Sequence, residues 1–166
     1  MYPNRTYKCP SCVRSMSNMS SNMTMQDEGT DNGPNPYVFN IETATQNNSM
    51  FRRAVWTGPF LQVTVMSLEP GEDIGAEIHE NLDQFIRVEQ GTGMAMIGNA
   101  KNALTFKAPV DSSYAIIIPA GTWHNLVNTG DMPLKVYSIY SLPVHPKNTV
   151  HETKEDAIEA EENSMN

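Results

Sequence analysis

With 166 residues, the chain is long enough for one domain but short for two. Its formal net charge of −8 argues against nucleic acid as the main partner, because binding it depends on basic side chains that neutralise phosphates. No apolar run approaches the roughly 20 residues of a membrane-spanning helix, and the first residues, MYPNRTYKCPSC, lack the apolar segment of a secretory signal, so we expect a cytoplasmic protein that binds neither nucleic acid nor membrane.

Residues 1 to about 35 differ in composition from the rest of the chain. Ser, Asn, Met, Gly and Pro dominate there, and branched aliphatic residues are almost absent. Such a segment buries too little apolar surface to offset the entropy of ordering, which predicts a disordered tail. Cys9 and Cys12 form a lone CxxC in this tail, and with no other cysteine a four-thiolate zinc site would need two subunits. Two reduced cysteines in a flexible segment are the simpler interpretation.

The middle of the chain, about residues 36–150, has the pattern of an all-β domain. Short runs rich in Val, Ile, Tyr, Phe and Thr alternate with Gly, Pro, Asn and Asp, and no long helical period occurs. This spacing favours a closed barrel or a sandwich. The predicted strands are FRRAVW (51–56), LQVTVMSL (61–68), FIRVEQ (85–90), MAMI (94–97), AIIIPA (115–120), WHNLVN (123–128) and LKVYSIY (134–140).

The last segment, residues 151–166, is acidic and lacks a full apolar stripe. Thr153 and Asp156 are spaced to cap a short helix, because a hydroxyl and a carboxylate three residues apart can each bind the other's backbone N–H. We predict a short C-terminal helix or tail here.

Two blocks of polar and glycine residues follow the predicted strands in a suggestive pattern. Glu77 and His79 lie two apart, and residues i and i+2 of a strand face the same side. If that side is the interior, the carboxylate needs a partner, since an unpaired buried charge costs several kcal/mol. The first block is Gly71, Glu77, His79, Gln84 and Gly91, and the second is Pro119, Gly121, His124 and Asn128.

Both blocks resemble the paired signature of the cupin superfamily, whose first block is Gly, five residues, His, one residue, His, three or four residues, Glu, six residues, Gly. The resemblance covers about residues 68–140. Three positions depart from it: Glu77 replaces the first His, Gln84 replaces the Glu, and Ser113 replaces the Gly that opens the second block. The last change is expected to alter only a turn.

The resemblance implies a double-stranded β-helix, a small jelly-roll barrel of RmlC-like type, with one divalent metal ion per chain. Carried over by position, the ligands are Glu77, His79, Gln84 and His124. The acid and the amide have exchanged places, so the charge offered to the ion is unchanged. Two imidazoles and one carboxylate suit Zn, Fe, Mn, Ni or Co without selecting among them. The alternative is a metal-free pocket, in which Glu77 pairs with Arg87 or Lys101.

Strand alternation predicts which neighbours share the interior with these residues. If Gln84 points inward, Ile86 and Val88 do so too. In the same way, if His124 points inward, Thr122, Leu126 and Asn128 also do. For the strand at 94–97, either the two methionines or Ala95 and Ile97 face inward, and the period alone does not choose. Apolar residues around a polar centre are typical of a small-molecule pocket.

A closer resemblance is to small single-domain bacterial cupins, a group sometimes labelled mannose-6-phosphate isomerase-like. It rests on DQFIRVEQGTG (83–93), PAGTWHNLVNTG (119–130) and the stretch from 133 to 157. That isomerase binds zinc through Gln, His, Glu and His, but this chain is much shorter and has no obvious Lys/Arg cluster for a phosphate.

Two functional hypotheses follow. The first is a metal-dependent enzyme acting on a small organic molecule, of oxygenase or isomerase type, with Glu77 as a catalytic base if it leaves the ion. The second is a non-catalytic cupin that binds a metal or small ligand in a storage or coat-like role. The resemblance also implies a homodimer, for which the segment 37–56 is the candidate exchanged edge. His145 and His151 are left outside the predicted site.

Overall fold

The computed structural model of the chain describes residues 30–164, which form two antiparallel β-sheets and two short helices. The predicted all-β jelly-roll fold with a short C-terminal helix is confirmed. The elements are α1 (Ile41–Gln46), β1 (Arg52–Thr57), β2 (Gln62–Leu68), β3 (Gln84–Gln90), β4 (Thr92–Gly98), β5 (Phe106–Asp111), β6 (Ala115–Ile118), β7 (Trp123–Asn128), β8 (Leu134–Tyr140), β9 (Val150–His151) and α2 (Lys154–Ser164).

The strand order interleaves parts of the chain that are far apart in sequence. One sheet has the order β6-β3-β8-β2-β1-β9, and the other has the order β5-β4-β7. Strand β8 therefore lies between β2 and β3, and its Tyr140 is opposite Gln62 on one side and Gln84 on the other. The interior between the sheets receives side chains from both of them.

Strand alternation decides which side chains reach that interior. On β3, Gln84, Ile86 and Val88 are buried while the residues between them are partly exposed, as the two-residue period of a strand requires. On β4, Ala95 is buried and Ile97 packs against the core, whereas both methionines are partly exposed. The choice that the period left open is thereby resolved. His124, Leu126 and Asn128 alternate inward along β7, as predicted.

Three elements of the structure were not predicted. Helix α1 has only six residues, too few for a helical period to show, and it begins at Asn40, whose side chain accepts a hydrogen bond from the backbone N–H of Thr43. Strand β5 is largely exposed and contains Pro109, and proline marks a run as an edge strand or a loop. Strand β9 has two residues, and it pairs with the start of β1.

Residues 30–35, at the end of the predicted tail, contact the barrel through Asp31. This carboxylate is buried and accepts hydrogen bonds from the backbone N–H and hydroxyl of Thr57, at 2.9 and 2.5 Å, and from the N–H of Gly33 at 2.9 Å. The N–H of Asn148 donates to the same carboxylate at 3.3 Å. The rest of the tail, with Cys9 and Cys12, lies outside the described residues.

The C-terminal helix α2 begins with the predicted cap. The N–H of Asp156 donates to the Thr153 hydroxyl at 3.2 Å, and the N–H of Thr153 donates to the Asp156 carboxylate at 2.9 Å. Ala157 is buried in the core, and Lys154 forms an ion pair with Asp73. Neither helix in the described part of the chain combines the length and the apolar character needed to cross a bilayer.

Candidate metal centre

Three predicted ligands converge on one point between the two sheets. Oε1 of Glu77 lies 3.2 Å from Nε2 of His124 and 3.4 Å from Nε2 of His79. One potential ligand atom from each residue falls within 4.8 Å of the others. His124 is fully buried, whereas the side chains of Glu77 and His79 keep 21% and 12% of their exposure. The cluster is therefore reachable from solvent on one side.

Glu77 and His79 reach this point from a connection rather than from a regular strand. Residue 77 forms an isolated bridge with His124, in which each backbone N–H donates to the other's carbonyl at 3.0 Å. The N–H of Gly121 donates to the carbonyl of His79 at 2.8 Å. The prediction that the two side chains point the same way agrees with the 3.4 Å separation, although the segment belongs to no named strand.

The ring of His124 is oriented by its own backbone. Nδ1 lies 3.1 Å from the carbonyl oxygen of Thr122, which accepts a hydrogen bond and so assigns the proton to Nδ1. The lone pair of Nε2 then faces the Glu77 carboxylate at 3.2 Å. Two such acceptors face each other favourably only if a proton or a cation lies between them. Ligating histidines in metal sites are usually held this way, by a hydrogen bond from the other ring nitrogen.

Glu77 is held in its ionised form. Burial alone would raise the pKa of this carboxyl, but the imidazoles of His124 and His79, which approach it at 3.2 and 3.4 Å, and the positive charge of Arg52 outweigh burial and lower the pKa well below its ordinary value. The carboxylate is therefore a permanent negative charge at neutral pH, available to a cation.

Arg52 is the basic side chain next to this carboxylate. Its Nη2 lies 4.0 Å from Oε2 of Glu77, and the arginine is 1% exposed. The sequence suggested Arg87 or Lys101 as alternative partners, but Arg87 lies beside Glu89, at 3.8 Å. Arg52 comes from β1, which lies outside both motif blocks, and it had not been assigned to the site.

Gln84, the fourth predicted ligand, is buried on β3 of the larger sheet. Its Nε2 donates to the hydroxyl of Ser138 at 3.4 Å, which is a long hydrogen bond. That oxygen, Oε1, is buried and has no hydrogen-bond partner among the described residues. Direct ligation by Gln84 stays a prediction.

The donor set fits a divalent ion. Nε2 of His79 and Oε1 of Gln84 are buried without hydrogen-bond partners in the described part of the chain, a costly state for polar atoms that a metal ion would relieve. Two imidazoles, one carboxylate and one amide oxygen form a donor set of the kind that transition metals take.

The comparisons with known proteins agree with this architecture. Residues 64–140, from β2 to the end of β8, match the family described as "Cupin domain". A protein of solved structure, BH2720 from Bacillus halodurans, is 58% identical and superposes with a TM-score of 0.77 over 78% of this chain and 98% of its own. The chain belongs to the cupin superfamily.

Two further proteins are similar to this chain. The uncharacterized protein YrkC of Bacillus subtilis is 58% identical over 132 residues, which are 80% of this chain and 71% of that protein. The cupin domain of Schizosaccharomyces pombe Cnp3 is 11% identical, with a TM-score of 0.52 over 60% of this chain and 67% of its own. The latter shares the fold alone.

Three glycine positions of the cupin signature can be compared with the structure. Gly91 and Gly121 keep the positive φ angles, 85° and 73°, that favour glycine, and an added Cβ at Gly91 would lie 2.9 Å from the carbonyl oxygen of Pro133. Ser113, in contrast, has no positive φ, and its N–H donates to the Asp111 side chain at 3.1 Å. Ser113 lies in the turn between β5 and β6, and the expectation that its replacement of glycine alters only this turn stays a prediction.

Two more residues of this cupin interior were missed by sequence reasoning. The ring of Tyr140 lies 5.6 Å from that of His79, and on its other side 5.7 Å from that of His145. Burial and the charge of Glu77 raise the pKa of Tyr140 to about 12, while burial and the charge of Arg52 lower the pKa of His145 to about 3. Both groups are neutral at pH 7. The alternation of β8 could have revealed Tyr140, but His145 follows the last long strand without any local signal.

Gln62 places His145 beside the cluster. Its side chain is fully buried, its Oε1 accepts the backbone N–H groups of Val144 and His145 at 3.1 and 3.0 Å, and its Nε2 donates to the carbonyl of His145 at 2.8 Å. A second bond from Nε2 reaches the hydroxyl of Thr57 at 2.9 Å. A loop that would otherwise be exposed is thereby attached to the barrel.

Proposed function

We propose that this cupin binds one divalent metal ion through Glu77, His79 and His124, with Gln84 as a fourth ligand, and that it is a metal-dependent enzyme for a small organic substrate. The observation that carries the proposal is the approach of Oε1 of Glu77 to the two Nε2 atoms, at 3.2 and 3.4 Å. Because Thr122 engages the Nδ1 proton of His124, a cation between these atoms satisfies all three.

The chain's own residues divide the remaining tasks. His124 and Gln84 lie on strands of opposite sheets and set the width of the site, while Glu77 and His79 form its solvent-facing side. When bound, a divalent ion supplies Lewis acidity toward an oxygen of the substrate. The neutral ring of Tyr140 lies beside His79, and the neutral ring of His145 lies on its other side, so neither adds charge to the site.

The type of reaction, oxygenase or isomerase, stays open. A role for Glu77 as a catalytic base is part of the proposal, although its lowered pKa makes it a weak base while it faces His124 and Arg52. Ile86 and Leu126 follow Gln84 and His124 by two residues on their strands, and Ile97 pairs with His124, so apolar core residues neighbour the predicted ligands. This suits a small, partly apolar molecule.

A second candidate function, a non-catalytic binding protein, is favoured by one specific observation. Arg52 already faces Glu77 at 4.0 Å, so that the carboxylate has a cationic neighbour without any ion. In that case the pocket would hold a small ligand and no metal, or a metal without turnover.

The experiment that tests the proposal is metal analysis of protein purified without a His tag. We expect close to one transition-metal ion per chain, and loss of most of it in His79→Ala and His124→Ala. The matched control is His151→Ala, because His151 lies on β9, outside the cluster. For the carboxylate, Glu77→Gln is compared with Glu80→Gln, whose side chain is exposed.

Each outcome decides between the candidates. Stoichiometric metal with turnover on a panel of small substrates, by oxygen uptake or by isomer formation, supports the enzyme. Metal without turnover supports the binding protein. Metal content that is absent, or unchanged in both histidine variants, overturns the assignment of the ligands.

A further inference from the structure

Arg52 is a buried cation next to the candidate metal centre. It is 1% exposed on β1, its Nη2 lies 4.0 Å from Oε2 of Glu77, and its Nε has no hydrogen-bond partner in the described part of the chain. A guanidinium offers five N–H donors in a fixed fork, and a long contact to one carboxylate uses few of them. Burial of such a group without full pairing is costly, which points to a role beyond packing.

A second carboxylate reaches Arg52 from the C-terminal helix. Oε1 of Glu161 lies 3.4 Å from Nη1, and the Glu161 side chain is 60% exposed. Among the described side chains of helix α2, Ala157 is buried and most of the others face solvent. The helix therefore packs weakly against the barrel. Glu161 therefore contacts a buried cation from an element that contributes little to the core.

The charges of the metal-loaded site do not balance. This step rests on the proposed function: a divalent ion and Arg52 bring three positive charges, against one negative charge from Glu77, which leaves roughly +2 in a mostly dry interior. Glu161 lowers the excess by one, but its own side chain is 60% exposed, so solvent screens its charge. A ligand that carries negative charge is favoured over a neutral one at such a site.

We propose that Arg52 is the anion-binding residue of this site, that the ligand is a small organic carboxylate, and that Glu161 occupies the guanidinium until this ligand displaces it. Glu77 already illustrates how a carboxylate spans the two halves of the site, because Oε1 faces the imidazoles while Oε2 faces Arg52. A planar guanidinium pairs well with the two oxygens of a carboxylate.

The test is calorimetric titration with malonate, with its neutral analogue malonamide and with inorganic phosphate. Each titration is done on metal-loaded and on chelator-treated full-length protein after the metal content has been measured. We expect wild type to prefer malonate over malonamide by at least about tenfold, in line with the strength of a charged hydrogen bond. Arg52→Gln should lose this preference, while Arg52→Lys should retain part of it.

Glu161→Gln supplies a test that does not depend on folding of a buried variant. It removes the competing carboxylate from an exposed position, so we expect malonate to bind about two- to fivefold more tightly. Glu159→Gln, on the exposed surface of the same helix, is the control and should leave malonate affinity unchanged.

The outcomes separate this proposal from the metal assignment. Each variant is compared with wild type at equal metal content, so loss of the malonate preference in Arg52→Gln supports the proposal whether that content is one ion or none. Equal binding of malonate and malonamide by wild type, or unchanged malonate affinity in both Arg52→Gln and Glu161→Gln, overturns it. Stronger binding of phosphate than of malonate overturns the carboxylate assignment.

Discussion

Nε2 of His124 and Oε1 of Glu77 lie 3.2 Å apart, although 47 residues separate them in the chain. Their backbones are joined as well, by a pair of hydrogen bonds at 3.0 Å between residues 77 and 124. The backbone pairing therefore holds the two side chains close together, and a proton or a cation between them makes that approach favourable. A site built in this way is organised before its ligand arrives, which reduces the ordering cost of binding.

The amide of Gln84 should tune metal affinity. Gln84→Leu removes the unpartnered Oε1 and should weaken metal binding about tenfold, as expected for a weak ligand or a group that orients one. Gln84→Glu adds a second carboxylate, so the metal-free protein should be less stable than wild type, whereas the metal should bind more tightly. Competition with a chelator measures the metal affinity of both variants, and thermal unfolding measures the stability of the metal-free protein.

Gln90→Leu is the control for Gln84, since Gln90 lies at the other end of β3, where its Nε2 donates to the carbonyl of Pro133 at 3.3 Å. Metal affinity that falls equally in the Gln84→Leu and Gln90→Leu proteins would count against a role for Gln84 at the ion.

Glu77→Gln should destabilise the metal-free protein. The substitution removes the carboxylate nearest the buried side of Arg52, and breaking a buried ion pair costs roughly 3–5 kcal/mol; we expect about 2 kcal/mol because Glu77 is partly exposed and the contact is long. Urea unfolding in the presence of a chelator measures the change. Glu80→Gln should have no effect, and an unfolding free energy equal to that of wild type in Glu77→Gln would contradict the electrostatic role of Arg52.

Asp31 should make stability depend on pH. Burial opposes ionisation of this carboxyl, but hydrogen bonds from Thr57, Gly33 and Asn148 prevail and hold its pKa below the ordinary 3.8. Because the folded-state pKa is the lower one, the stabilisation is present above about pH 4 and is lost as pH falls through the folded-state pKa. Asp31→Asn should therefore cost about 1.5–3 kcal/mol at pH 7, and the difference from wild type should shrink below pH 4. A difference that does not vary with pH would show that the charge of Asp31 is not what matters.

Gln62 should control the loop that carries His145. Gln62→Leu keeps the approximate volume but leaves the N–H groups of Val144 and His145 without their acceptor, so we expect a loss of about 2–4 kcal/mol and faster hydrogen exchange at both amides. Gln62→Glu keeps the acceptor and should protect these amides better than Gln62→Leu. If the amides of Val144 and His145 exchange at wild-type rates in Gln62→Leu, then Gln62 does not hold this loop against the barrel.

The predicted homodimer can be tested on the face formed by the start of the described chain and the β1–β2 hairpin. Tyr37, Phe39 and Trp56 line an apolar groove there, and Phe60 next to it is 76% exposed. Exposed apolar surface of this kind is typical of an interface. Light scattering should give twice the mass of one chain, and Phe60→Glu should lower the measured mass to that of one chain. A wild-type mass equal to that of one chain would contradict the predicted dimer and, with it, the exchange of segment 37–56 between subunits.

Much of the fold could be predicted because its strands carry their own signals. The runs that became β3, β7 and β8 are bounded by turn residues and alternate in burial, so both their existence and their facing follow from local sequence. Strand β2 is buried along its whole length, so its composition predicted a strand but not which side faces the core. The cap of α2 was equally local, since Thr153 and Asp156 are three residues apart. Helix α1 and strand β5 are short or exposed, and their local signals were too weak.

The candidate site was predictable only where motif spacing carried it. Glu77, His79, Gln84 and His124 belong to two spaced blocks, whereas Arg52 reaches the site through the pairing of β1 with β2, which no local pattern reveals. One clue was present: Arg52 and Arg53 are adjacent in a predicted strand, so one of the two had to face the interior. The other residues of that strand are mostly apolar, which predicted a core strand and not a site residue.

The origin of the donors has a consequence for how an ion would be held. Gln84 and His124 belong to continuous ladders, whereas Glu77 and His79 lie on a connection joined to β7 at the isolated bridges of residues 73 and 77. A bound ion would thus join these two ladders to a connection that backbone hydrogen bonds, among them the pair between residues 77 and 124, hold against β7. Release of the ion then depends on how often those hydrogen bonds open, so the dwell time of the metal reports on local backbone opening as much as on ligand strength.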